Sequence, residues 1–471
     1  MQLKKQTFGV IIATRNIFNS KLAVDARAKV LAKLEKLGYH TIVLASEETP
    51  TGNIEGYADA VKCANLFRNN SQSIEGIVVV LPNFGDELGV VNSIKMSGLK
   101  VPVLVVAVDD DNDKVDVKSR RDAFCGKLSV CNNFYQHGIK FTDTTFHTYS
   151  LDCSEFTKDL LKFAGICRVV KGLKGLRVGA IGARPMGFQT MRFSEKLLQL
   201  SDITVVPVDM SEIIAAAGKI SENDPSVLAK VEAIRNYGIC GIASQGKIAK
   251  QARFGLAVEN WIQENDIDIS AIQCWESIEK NYGCAACVTM SMMGEKLMPS
   301  ACEVDVAGTV SMYALALAAQ TPSAILDWNN NFAEDRNKVV CTHCSNYPKS
   351  FFQNEIEIGS LDVLGTVLGS EDTFGAVKGK VAAGNMTYFR ISTDDRKGII
   401  KSYLGEGLMT DDPYGMDGGI AVCEIPNLQD LMKYLCKNGY EHHVAMVRGN
   451  VAGILEEAIG NYLGWELYSH K

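Results

Sequence analysis

Gly76-Ile-Val-Val-Val-Leu81 is a short apolar run, rich in β-branched residues, that stops at Pro82-Asn-Phe-Gly-Asp86, where a helical pattern starts and runs to Met96. A run of this length between turn residues, followed by a helical period, reads as a strand buried on both faces that hands the chain to a helix. The same unit recurs on either side. Phe8 to Ala13, Thr41 to Leu44 and Val101 to Val108 are further strand-like runs, and Leu22 to Leu37 and Tyr57 to Phe67 carry helical spacing. This alternation predicts βαβ units, hence a Rossmann-like parallel α/β domain with helices on both faces of its sheet, over residues 1–170. Ligands of such sheets collect beyond the strand C-termini. Two of these ends carry Thr14-Arg15-Asn16 and Pro82-Asn83-Phe84-Gly85-Asp86, which makes Arg15 a candidate binding residue.

Lys171-Gly-Leu-Lys-Gly175 marks a new start. Leu176 to Ile181, Ile203 to Val208, Gly238 to Ala243, Ile269 to Cys274, Ala324 to Asp327 and Val339 to Thr342 are candidate strands, with Val227 to Arg235 and Ile248 to Ile262 as helices. They predict a second Rossmann-like α/β domain, residues 171–352. The glycines at 179, 182 and 187 do not reproduce the dinucleotide fingerprint and no phosphate-loop motif occurs, so no nucleotide cofactor is expected. Beyond Phe352 the texture becomes glycine-rich and strand-like, as in Gly375 to Arg390. It predicts a C-terminal β-barrel-like domain, residues 353–471, closed by a helix from Val451 to Leu463.

Composition narrows the class. The 471 residues are 46% hydrophobic and 22% charged, with a net charge of -7, the balance of a soluble globular protein, and one that disfavours nucleic acid as a partner. No stretch approaches the ~18 apolar residues of a membrane span, and the segment before Phe8 is wrongly flanked for a signal peptide. A cytoplasmic protein is expected, with its 14 scattered cysteines reduced.

The chemistry centres on Ser300-Ala-Cys-Glu303-Val-Asp305-Val and on Asp327, two acids flanking the apolar, helix-like run Val306 to Ala319. Carboxylates in apolar surroundings need a partner, because desolvating an unpaired charge is costly. Glu441-His442-His443 and Val340-Cys-Thr-His343-Cys-Ser-Asn346 offer imidazoles, and imidazole with carboxylate makes a mixed set suited to a transition metal. Blander readings stand beside this one: a solvated His-His turn, a core histidine bonded to a carbonyl, or a glycosidase pair, which leaves the histidines unexplained. A four-thiolate zinc site from Cys284, Cys287, Cys341 and Cys344 is formally available, but its halves lie too far apart for a compact ribbon, and buried thiols are the better reading. Gln273-Cys-Trp275 sets an amide beside an indole, a pairing suited to a sugar or to an ordinary core tryptophan.

Taken together, Gly182-Ala-Arg-Pro-Met-Gly187, Gln273-Cys-Trp, Ala301-Cys-Glu303-Val-Asp-Val, Leu326-Asp327, Thr342-His-Cys-Ser-Asn346 and Glu441-His-His-Val-Ala445 resemble the L-fucose and L-arabinose isomerase superfamily. They occur in that family's order and are spread over most of the chain. The resemblance implies the same three-domain order and a Mn2+ ion, with Mg2+ or Co2+ as alternatives, held by Glu303, Asp327 and His443. His343 corresponds to a fourth ligand of the arabinose branch, and His442 takes the place of a polar neighbour. It further implies a monosaccharide pocket lined by Met186, Gln273, Trp275, Ser345 and His442. Arg15 would come from the N-terminal domain of a neighbouring subunit in a homo-oligomer, usually a hexamer, with sites between subunits.

The implied reaction suits these residues. Interconverting an aldose and a ketose moves a proton between adjacent carbons through a cis-enediol whose oxygens gain negative charge, work for a metal and a carboxylate pair. Glu303 is the expected base and Asp327 its acid partner. L-fucose, D-arabinose, L-arabinose and sulfosugars such as sulfoquinovose all remain conceivable, with Arg15 and Arg184 as a basic pair for an anionic substituent. The rival is a non-catalytic sugar-binding or regulatory protein of the same fold, which has no need of a proton-transfer pair.

Overall fold

The computed structural model describes residues 5–50, 52–241, 243–415 and 418–471. They form two compact units, Gln2–Lys171 and Gly172–Lys471. In the first, β1 (Thr7–Ile12), β2 (His40–Ile42), β3 (Ile74–Leu81) and β4 (Val103–Ala107) make a parallel sheet in the order β2-β1-β3-β4. Successive side chains go to opposite faces. Val10, Ile12, Val78, Val80 and Val106 meet Ala23, Val30 and Phe163 on one face; Ile11, Ile77, Val79 and Val105 meet Cys63, Phe67, Ile94 and Phe134 on the other. Helices therefore cover both faces, which is why the strands read as unbroken apolar runs. Strand β4 starts later than the apolar run that announced it, since Pro102 has no N–H for the ladder. The helix Glu87–Ser97 starts where Asp86 Oδ1 accepts from the Gly89 N–H at 2.6 Å.

The second unit opens with another parallel sheet, β5 (Leu176–Ile181), β6 (Ile203–Val208), β7 (Ile269–Ile272) and β8 (Ser300–Ala301), in the order β6-β5-β7-β8. The strand expected over Gly238 to Ala243 is not part of it, and its Ile242 lies outside the described residues. Instead Ile239 exchanges backbone bonds with Ile356 and Ile358, both at 2.8 Å. A Cβ at Gly238 would stand 2.7 Å from Ile356, so the glycine permits this close approach.

The remaining strands form one nine-stranded sheet: β9 (Ser323–Phe332), β10 (Asp335–His343), β11 (Glu357–Ser360), β12 (Phe374–Lys380), β13 (Gly384–Asp394), β14 (Ile399–Met409), β15 (Gly419–Glu424), β16 (His443–Arg448) and β17 (Glu466–Ser469). Six of them close a barrel in the order β15-β10-β9-β16-β13-β14, sealed where Leu408 and Met409 pair with Glu424 and Cys423. The runs Ala324 to Asp327 and Val339 to Thr342, expected in the second parallel sheet, are barrel strands. A short apolar run fixes a strand but not the sheet it joins, and here β9 and β10 pair with each other and with β16 and β15. Leu326, Cys341, Met386, Tyr388, Tyr403 and Met446 fill the barrel core.

Between the parallel sheet and the barrel runs the helix Val306–Ala319, which touches β7 on one side and β9, β13 and β16 on the others. It is buried on almost every face, as an all-round apolar helix must be. The closing helix begins as Ala452–Leu455, continues as a π-helix over Glu456–Leu463, and leads into β17, which pairs with β14. Among the described residues no helix is long and apolar enough to cross a membrane.

Candidate active site

Barrel register assembles one half of the site. Asp327 on β9 stands opposite His443 on β16 and opposite Thr342 on β10, whose next residue is His343. The other half comes from the end of β8. There Cys302–Val304 form a tight turn in which Glu303 and Val304 have φ of 53° and 56°. Left-handed backbone at non-glycine residues is costly and is characteristic of functional sites. This turn separates β8 from the helix Val306–Ala319 and places Glu303 against the barrel histidines.

Glu303 Oε2 lies 2.9 Å from His443 Nε2 and 3.8 Å from His343 Nε2. The two imidazole nitrogens are 3.3 Å apart, and Asp327 Oδ1 is 3.5 Å from His443 Nε2 and 3.8 Å from His442 Nε2. Glu303, His343 and His443 are all buried. Asp327 Oδ1 nevertheless accepts no hydrogen bond, and Glu303 Oε2 faces only imidazole nitrogens. Buried acceptors that converge without donors are rare. Two carboxylates and facing imidazoles of this kind fit a divalent cation of the imidazole- and oxygen-binding class.

Behind the histidines lies a layer that sequence reading passed over. His443 Nδ1 is 2.8 Å from Asp305 Oδ2, and Asp305 is itself held by both terminal nitrogens of the buried Arg390 and by the Gly308 N–H at 2.8 Å. Arg390 and Ser392 bind Glu441 in turn. Burial pushes the Glu303 carboxyl up, but the His343 and His443 imidazoles outweigh it and hold the group down at about 2. Burial pushes His443 down, and the Asp305 and Glu303 carboxylates overcome it, raising that imidazole to about 9. His343 Nδ1 faces sulfur, 3.8 Å from Cys302 Sγ and 3.7 Å from Cys344 Sγ. Among the described residues Cys284, Cys287, Cys341 and Cys344 form no four-sulfur cluster, and all 14 cysteines are free thiols.

The four convergent residues sit in a cavity of about 340 Å³, enough for a small ligand. Trp275 and His442 line it, as does Phe188, which no sequence motif announced. The Phe188 ring centre lies 5.6 Å from that of Trp275 and 6.4 Å from that of His442, forming an aromatic wall. Met186, Gln273 and Ser345 are not among the lining residues. Met186 is 93% exposed, Ser345 is fully buried, and Gln273 accepts from the Ala183 N–H beside a different cavity. Arg15 lies in the N-terminal unit, where it binds Glu87 and the Gly85 carbonyl and covers the Phe84 ring.

Residues 9–174 match the family described as fucose/sulfoquinovose isomerase, N-terminal domain, and residues 341–471 match L-fucose isomerase, C-terminal domain. The chain belongs to the L-fucose and L-arabinose isomerase superfamily. The sulfoquinovose isomerases of Priestia megaterium and Priestia aryabhattai are each 25% identical to it over 455 residues, covering 96% of both chains. That of Alkalicoccus urumqiensis is 27% identical over 290 residues, 61% of this chain and 63% of the relative. As a member of this superfamily the protein is an aldose-ketose isomerase acting on a sugar. His343 and His443 fall in the matched C-terminal segment, and Glu303 and Asp327 in the stretch before it.

Proposed function

We propose that this isomerase acts on a sulfosugar of the sulfoquinovose type, depends on a divalent cation, and works through a cis-enediol. The observation that carries the metal reading is two ligand groups that share His443, Glu303 with His343 and Asp327 with His442, with the buried Asp327 Oδ1 left without a donor. The sulfosugar reading is supported by relatives named sulfoquinovose isomerase that align over 96% of the chain. Glu303, Asp327 and His443 would hold the ion, with His343 as fourth ligand. Mn2+ is the first choice and Mg2+ or Co2+ the alternatives, because imidazole joins oxygen in the set. When bound, such an ion supplies positive charge opposite the oxygens that turn negative in the enediol.

The chain's own groups perform the proton transfers. Glu303 is ionised at neutral pH and takes the proton from the carbon beside the carbonyl, then returns it to the neighbouring carbon. Asp327, partly open to the cavity, exchanges the hydroxyl proton on the other side. Burial and the neighbouring His443 lower the pKa of His442, which is therefore neutral and able both to donate to and accept from a sugar hydroxyl. Phe188 and Trp275 cover the apolar face of the sugar and keep water away. In this reading the protein is a homo-oligomer, as a hexamer, in which Arg15 reaches the site of a neighbouring subunit; family resemblance supports that part.

The test is to strip the protein with a chelator, restore Mn2+, Mg2+ or Co2+ singly, and assay sulfoquinovose beside neutral aldoses. Recovery of sulfoquinovose turnover, greatest with Mn2+, is expected. Full activity in stripped protein, or preference for a neutral aldose, contradicts the reading.

A further inference from the structure

We infer that Lys378 receives the sulfonate of the substrate and so sets the charge preference of the site. This rests on the sulfosugar reading above and adds a residue to it. Among the described residues lining the cavity, Lys378 is the only lysine or arginine. Its side chain is 17% exposed, too enclosed to be an ordinary solvated lysine.

Register places it at a suitable distance from the reacting end. His343 on β10 pairs with Gly419 on β15, and Gly419 pairs with Gly379 on β12. Lys378 directly precedes Gly379, so its backbone lies two strands from that of His343, and the cavity lined by both side chains is what brings them together. At a strand spacing of ~4.8 Å, two strands is ~10 Å across the sheet, about the reach of a six-carbon chain with a terminal sulfonate whose carbonyl end lies at the histidines. Gly418, which has no side chain, lines the floor between them.

The ammonium group has capacity left for a ligand. Lys378 Nζ donates to Asp362 Oδ2, and Asp362 is 46% exposed. That ion pair, whose carboxylate also lines the cavity, uses one of three N–H groups and leaves two. Of the basic pair expected for this task, Arg184 is engaged elsewhere: it donates to the carbonyls of Pro185 and Met186 and does not line the cavity. A sulfonate is a permanent anion with three acceptor oxygens, and a half-enclosed lysine offers it a charge-assisted bond that a neutral sugar cannot use.

The experiment compares the metal-loaded wild type with Lys378→Met and Lys378→Arg on sulfoquinovose and on 6-deoxyglucose, which is the same sugar without the sulfonate. In Lys378→Met the kcat/KM ratio of sulfoquinovose to 6-deoxyglucose is expected to fall about 10- to 100-fold, the range of a bond to a charged group. The loss should appear mainly in KM, and Lys378→Arg should keep most of the preference. KM for sulfoquinovose should rise with added salt in the wild type and less steeply in Lys378→Met. A wild type that prefers sulfoquinovose while Lys378→Met keeps both the ratio and the salt slope overturns the role of Lys378 alone. A wild type that isomerises 6-deoxyglucose and rejects sulfoquinovose overturns the substrate reading and this inference together.

Discussion

His443 Nδ1 lies 2.8 Å from Asp305 Oδ2, and the opposite ring nitrogen, Nε2, lies 2.9 Å from Glu303 Oε2. A carboxylate behind an imidazole selects the tautomer that leaves the far nitrogen free to bind a metal, and it raises that nitrogen's basicity. Asp305 also caps the central helix and pairs with Arg390. One side chain thus ties the orientation of the expected ligand to the junction between parallel sheet and barrel.

Asp305→Asn should lower Mn2+ affinity about 10- to 100-fold while Glu303 stays in place. Asp305→Ala should cost more, about 3–5 kcal/mol of stability, because the buried Arg390 loses its main partner. Calorimetric titration with Mn2+ and chemical denaturation measure the two effects; unchanged Mn2+ affinity in Asp305→Asn would remove Asp305 from the orienting role.

Glu303→Gln should reduce kcat by about 10²- to 10⁴-fold, the usual range for loss of a general base, with an unchanged circular dichroism spectrum. Near-normal turnover would take Glu303 out of the proton-transfer role.

His443→Ala should weaken Mn2+ binding more than His442→Ala. The His443 side chain is 1% exposed and sits between two carboxylates, whereas that of His442 is 40% exposed and 3.8 Å from Asp327. Retention of Mn2+ by His443→Ala, with loss in His442→Ala, would mean that the neighbouring histidine is the ligand. His343→Ala distinguishes three ligands from four, full retention placing His343 outside the coordination sphere.

The metal-free protein should show two opposite pH trends. His443 is raised from 6.5 to about 9 on folding, so the stability it contributes is complete below about pH 6.5 and is lost as pH climbs to about 9. Glu303 is lowered from 4.5 to about 2, so its contribution is present above about pH 4.5 and lost as pH falls to about 2. Cation binding must displace the His443 proton, so Mn2+ affinity should rise by up to about tenfold per pH unit towards pH 9. Denaturation midpoints from about pH 2 to about pH 9, with Mn2+ titrations towards pH 9, check both trends; Mn2+ affinity that is flat with pH would show that no imidazole proton is released.

The N-terminal sheet was legible because both its faces are buried, so each strand appears as an apolar run between turns. Glu303, Asp327, His343 and His443 were legible as types of residue in a family order. Their meeting was not, since Asp327 and His443 become neighbours only through the pairing of β9 with β16, a contact between distant segments. The same limit hid the barrel membership of Ala324 to Asp327 and Val339 to Thr342. Asp305 and Arg390 are 85 residues apart, and nothing local marks the arginine as buried. Phe188 reads as a loop aromatic until its ring is seen beside Trp275 and His442.

The central claim is that Glu303 moves a proton beside the sugar carbonyl with the help of a bound cation. Mn2+-loaded wild type and Glu303→Gln should be incubated with sulfoquinovose in heavy water, and deuterium at the carbon next to the carbonyl followed by NMR. The account predicts incorporation by the wild type, none above background by Glu303→Gln, and none by wild type stripped of metal. Equal incorporation by all three, or conversion of the sugar by wild type through a route that needs neither Glu303 nor a cation, would contradict it.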